Sequence, residues 1–202
     1  MKKIMFNDKY GLTQAVLDGR KTMTRRIINQ QTEGWLRMQY DERYNDWHRH
    51  SPYMYTETIA IAQSYRSILQ NTSLRDFMCQ IECDEELFID EFENITDGKG
   101  FKNKMFVKAK YMPHHIKISG IRVERLQDIS NEDCLREGVR LWEDAVPEYQ
   151  SNPLGKLYEI AGRRDRYKTP REAFAALIDN VSGKGTWESN PLVWVYEFEL
   201  VD

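Results

Sequence analysis

The sequence predicts an α+β fold: a small curved antiparallel or mixed sheet, a partly open β-barrel, carrying peripheral helices and insertions. Three observations predict it. Residues Leu192–Val201 alternate, with Leu192, Trp194, Tyr196, Phe198 and Leu200 on one side, as a half-buried strand does. In Ile116–Leu126 the apolar alternation slips by one residue at Gly120, the pattern of a bulge that curves a sheet. Ser130 and Thr169-Pro170 each open an apolar run with capping residues, so helices follow strands.

Taken along the chain, Asn7 or Asp8 caps a short helix through Leu12, Ala15, Val16 and Leu17, and Gly19 ends it. Lys21–Ile28 is expected to be extended, because two threonines and two isoleucines favour that form. Residues 29–50 are polar without period and read as a loop or insertion. Tyr53–Ala62 reads as a strand with Tyr53, Tyr55, Glu57, Ile59 and Ile61 on one face. Residues 63–103 form a second insertion with a helix near Leu74–Gln80. Met105–Ala109 is an expected strand ending at Pro113. Ser130 starts a short helix that Gly138 ends, with Asp133 as the acid of a capping box. Residues 139–168 read as a third insertion, and Thr169 launches an amphipathic helix through Phe174, Leu177 and Ile178. No repeat or linker divides the chain, so residues 1–202 are read as one domain.

Composition excludes several classes. With 41% hydrophobic and 30% charged residues the chain is globular rather than disordered. No run reaches the ~18 apolar residues of a membrane helix, and Asn7-Asp8-Lys9 interrupts any secretory segment. A cytoplasmic location without membrane contact is expected. Cys79, Cys83 and Cys134 are odd in number and lack Cys-x-x-Cys spacing. They read as reduced thiols, and neither they nor His48, His50, His114 and His115 are expected to hold a metal. No cofactor is implied.

The net charge is only −3, but it is unevenly placed. Residues 1–26 hold seven bases against two acids, residues 82–97 eight acids and no base, and residues 99–125 eight bases against Glu124. Folded together, two basic segments and an acidic one make either a positive cleft with an acidic rim or alternating solvated faces. Gly19–Arg26 concentrates the chemistry: a helix-ending glycine, then four cations and two hydroxyls in seven residues. Arginine forks and free N–H groups at a turn recognise phosphates, while on an exposed strand edge the same cations discourage aggregation.

The run Leu-Asp-Gly-Arg-Lys-Thr-Met-Thr-Arg-Arg at 17–26 resembles the signature of the ASCH domain family, within the PUA-like barrel superfamily. Tyr53–Ala60, Met112-Pro113 through Ile121–Ile129 to Glu137-Gly138, and Trp187 through Asn190-Pro191 are similar to its longer, phage-associated members. The Gly-Asp turn of that pattern is replaced by Ser51-Pro52. The resemblance implies a PUA-like domain whose partner is RNA or a modified nucleoside. It implies an amidohydrolase acting on N4-acetylcytidine-like bases, with catalytic residues at Lys21, Thr24 and Glu137. Thr24 would be the nucleophile, Lys21 its base and Glu137 an orienting or proton-relay acid. Gly19, Arg20, Arg25, Arg26 and Glu57 are the candidate ligand-binding residues, Glu57 alternatively a structural partner of Arg25 or Arg26. A non-catalytic RNA-binding module and a ribonuclease using Lys21 or a histidine remain as alternatives. Trp187 and Trp194 are candidate base-stacking rings or core.

Positions 21 and 24 fall on opposite faces of an ideal strand, so the catalytic arrangement requires a turn or bulge between them.

Overall fold

The computed structural model describes residues 1–38, 50–80, 94–142 and 156–201. It is a mixed α+β structure around a five-stranded sheet in the order β1-β3-β4-β7-β2, with β1 Lys3–Ile4, β2 Met23–Ile27, β3 Thr58–Ile61, β4 His115–Arg125 and β7 Leu192–Leu200. Residues Arg140–Leu141 (β5) and Tyr158–Glu159 (β6) make a separate antiparallel pair. The expected barrel is not closed, because β1 and β2 end the sheet as edges. The helices are α1 Leu12–Leu17, α2 Gln30–Met38, α3 Tyr65–Ile68, α4 Leu74–Gln80, α5 Lys99–Lys102, α6 Asn131–Arg136, α7 Pro170–Ser182 and α8 Thr186–Ser189. None is long and apolar enough to cross a membrane.

The chain divides into two compact units. The first comprises Met1–Phe6, Thr58–Ile116 and the C-terminal residues from Leu200. Its β1 runs parallel to β3, pairing Lys3 with Ala60 and Ile4 with Ile61. Its core packs Tyr65 and Phe77 edge to face at 5.8 Å with Ile95, Val107 and Tyr111. The strand expected at Met105–Ala109 is instead two 3-10 turns, Lys104–Phe106 and Ala109–Tyr111. Local capping overrides the short apolar run there. Asn103 accepts from the Met105 N–H, and the Lys3 ammonium gathers the carbonyls of Lys104, Met105 and Val107.

The second unit, Asn7–Glu57 with Lys117–Glu199, holds the expected site. Here β2 pairs antiparallel with β7, Thr24 opposite Tyr196 and Arg26 opposite Trp194. Several expected elements are present: α1 ends at a Gly19 with φ 71°, Ser130 caps α6 at 3.0 Å, and Thr169 caps α7 at 3.1 Å. Gly120 lets β4 lie close to β7, since a Cβ there would stand 3.2 Å from Glu197 Cβ. Two expectations are corrected. Residues 30–38 are helical, because Asn29 supplies an N-cap to the Thr32 N–H at 2.8 Å. Tyr53–Glu57 is a turn rather than strand: Glu57 N–H donates to Met54 O, its carboxylate takes the Met54 N–H, and Thr56 has φ 64°. The acidic expectation at 82–97 falls largely outside the described residues, as do Cys83, His48 and part of each expected insertion.

Candidate functional site

The site is built on β2 and its two faces. The side chains of Met23 and Arg25 share one face with Glu197, opposite Met23 on β7. Helix α6 brings Asp133 to this face, and Glu137 follows one residue after the helix. Arg25 is buried and meets three carboxylates: Glu124 at 2.5 and 2.9 Å, Asp133 at 2.9 Å and Glu137 at 3.2 Å. Arg122 joins Glu124 at 3.0 Å, Asp133 at 3.0 Å and Glu197. Arg136 reaches Glu197 at 2.9 Å and the Thr22 hydroxyl at 3.2 Å.

Lys21 completes this network from the strand's end. Its backbone N–H is taken by Ala15 O of α1 at 2.8 Å, which turns the side chain back along the sheet edge. Nζ donates to Glu137 Oε2 at 2.6 Å, Glu137 O at 2.8 Å and Met23 O at 2.7 Å. The β7 ladder uses Thr22 O and Ile28 N–H. By alternation, the Met23 carbonyl therefore points outward from the edge strand. Lys21 is 2% exposed. Burial drives its pKa below the usual 10.5, Glu137 opposes that, and the Arg26 and Arg25 charges reinforce it. Four cations (Lys21, Arg25, Arg122, Arg136) thus meet four carboxylates (Glu124, Asp133, Glu137, Glu197).

Thr24 belongs to the other face. It is buried opposite Tyr196, and its hydroxyl makes no hydrogen bond among the described residues. Tyr196 Oη lies 2.8 Å from Ser51 Oγ, and the Tyr53 ring stands edge-on to Tyr196 at 5.2 Å. Burial pushes the Tyr196 phenol up to about 12 and raises Tyr53 as well. Arg26 shares this face with Thr24, two residues along.

The structure therefore unites Lys21 with Glu137 but does not hydrogen-bond either to Thr24. Lys21 nonetheless sits at the carbonyl of the residue preceding Thr24. Arg25, a candidate ligand residue, turns inward to carboxylates, and Glu57 is not among its ion-pair partners. Arg20 is exposed and paired with Asp18 at 2.8 Å, beside an open Gly19. Trp187 is covered by the Arg171 guanidinium at 5.0 Å and by Phe174. Trp194 is buried, and Cys134 sits in the core with its thiol pKa raised to about 12 by burial. His114 and His115 fall in the first unit.

Sequence reasoning missed Arg122, Glu124, Asp133 and Glu197. A signal existed: Arg122 and Glu124 alternate with Ile121 and Val123, which places two opposite charges on one strand face. Asp133, expected to close a capping box, gives its carboxylate to Arg25 and Arg122 instead. Comparison of the chain with models of protein families, with curated proteins and with solved structures yields no match.

Proposed function

We propose that this chain is an ASCH-type, PUA-like domain that takes a modified cytidine, free or within RNA, and hydrolyses an N4-acyl amide at Thr24. The observation that carries the reading is Lys21: a buried amine, depressed in pKa, paired with Glu137 and seated at the carbonyl before Thr24. A lysine whose pKa is lowered by burial can be uncharged at the moment a base is required. Thr24 Oγ1 attacks the acyl carbon as its proton passes to the Lys21 amine. Collapse of the tetrahedral adduct breaks the C–N bond, and the proton goes to the exocyclic nitrogen of the released cytidine. Water then cleaves the threonyl ester, freeing the carboxylic acid. Arg26, on the same face, supplies positive charge to the developing oxyanion. Arg25 holds the second Glu137 oxygen and fixes its orientation. Because Thr24 lies on the opposite face, bringing it to Lys21 requires the backbone at the strand edge to shift when substrate enters.

A second reading, a non-catalytic RNA-binding module, is favoured by one fact. All three Lys21 donors are engaged, and the Thr24 hydroxyl bonds to neither Lys21 nor Glu137. Chromatographic assay of N4-acetylcytidine distinguishes them. Turnover abolished by Thr24→Val and by Lys21→Met, and partly kept by Thr24→Ser, supports the hydrolase. No turnover by folded wild type, with salt-sensitive RNA binding, supports the module.

A further inference from the structure

Away from the Thr24 face, the second unit has a cavity of about 420 Å³ between the end of α6, the β5 strand and Tyr158 of β6. Its volume falls in the range of pockets that hold a small organic ligand. Four cations line it: Arg20, Arg136, Arg140 and Lys156. Among the described residues no carboxylate does. The floor is apolar and includes Leu135 and Tyr158.

The cations are not equivalent. Arg20 is held by Asp18, and Arg136 by Glu197 and Asp133, all outside the lining. Arg140 pairs with the buried Glu159, which Arg166 also contacts at 3.1 Å. Yet the Arg140 Nε–H is buried and lacks an acceptor. Lys156 is exposed and has no ion pair among the described residues. A buried guanidinium N–H without a partner is disfavoured, and a ligand oxygen would satisfy it.

We infer that this pocket binds a phosphomonoester with a planar or apolar body, of mononucleotide size. The phosphate engages Arg140 and Lys156, and the body lies on the Leu135–Tyr158 floor. This site is separate from the hydrolytic reading of Thr24 and does not depend on it. The same phosphate chemistry occurs in a free mononucleotide and at the 5′ end of an RNA strand.

Calorimetric titration of the full chain with cytidine 5′-monophosphate tests the inference. The expected result is saturable one-to-one binding, at least tenfold weaker for cytidine and at least tenfold weaker for Lys156→Glu. Arg140→Gln weakens it similarly, and Thr24→Val leaves it unchanged. Displacement by a 5′-phosphorylated RNA tetramer but not its 5′-hydroxyl form assigns the strand end as source; displacement by neither assigns the free nucleotide. Absence of binding by folded protein at millimolar nucleotide overturns the inference. So does binding indifferent to Lys156→Glu, and so does binding lost in Thr24→Val, which would put the nucleotide on the β2 face. Failure of N4-acetylcytidine turnover leaves this outcome untouched, because the two assays read different residues.

Discussion

Glu137 is shared by two buried cations, one on each carboxylate oxygen. Replacing it by Gln removes the carboxylate charge paired with buried Lys21 and one of the three around Arg25, so Glu137→Gln is expected to destabilise by about 3–5 kcal/mol in urea unfolding. Lys21→Met leaves Glu137 with Arg25 and is expected to cost clearly less. Equal losses would mean that the Lys21–Glu137 pair, not the shared carboxylate, dominates. Lys21 also sets a pH signature. Below its depressed folded pKa both states are protonated and the burial cost is fully present. Between that value and 10.5 only the unfolded state holds the proton, so stability rises with pH. Lys21→Met should flatten that rise in pH-dependent unfolding. Glu197 acts with the same sign in an acidic window: hydrogen bonding to Arg136 lowers its pKa, so its contribution is present above about 4.5 and lost as pH falls through the folded value. The resemblance proposed Lys21 and Glu137 for one candidate site. Their mutual contact was not legible, because it joins groups 116 residues apart.

At the scale of elements, α6 carries the acidic wall, and its entry and exit are both specified locally. Ser130 accepts the Asp133 N–H, and Ser130→Ala is expected to cost about 1 kcal/mol. The exit is stricter. Gly138 has φ 105°, and a Cβ there would lie 3.0 Å from Leu12 Cδ2. Gly138→Ala should therefore destabilise by about 1–3 kcal/mol and disturb the neighbouring Glu137. Thermal melts compared with Ser130→Ala check the ranking. These caps were readable because capping chemistry is confined to four residues. The turn at Tyr53–Glu57 was not, since its aromatic alternation imitates a strand and only a left-handed Thr56 breaks it. The same holds for Met105–Ala109, where carbonyls collected by Lys3, about a hundred residues away, decide the conformation.

For the whole molecule, the chain passes between its two units at residues 6–7, 57–58, 116–117 and 199–200. Each unit is therefore assembled from separated segments, which is why no linker composition marks a boundary. The long excursion 58–116 leaves and re-enters the second unit at paired positions: Thr56 N–H donates to Ile118 O at 2.9 Å and Ile118 N–H to Glu57 O at 3.0 Å. Joining Glu57 to Lys117 through a short Gly-Ser turn, with residues 1–6 and 200–202 removed, should leave β2, β7 and most of β4 as a three-stranded sheet. Cooperative urea unfolding of that chain is the expected result; its absence would show that the second unit needs the first. The basic segments that suggested a positive cleft are partly engaged within the fold, Lys3 and Lys104 donating to carbonyls and Arg25 and Arg122 paired with carboxylates. Charge runs in a sequence do not reveal such internal pairing.

The outward carbonyl of Met23 gives Lys21 a second consequence. Strand β2 is a sheet edge, and an edge with free carbonyls is a template on which another copy of the chain can add a strand. The Lys21 ammonium fills one of those acceptors and places a buried charge beside it. Lys21 and Met23 are both buried, so Lys21→Met leaves that carbonyl without its donor inside the fold, and opening of the edge should show as faster amide exchange along β2 than in the wild type.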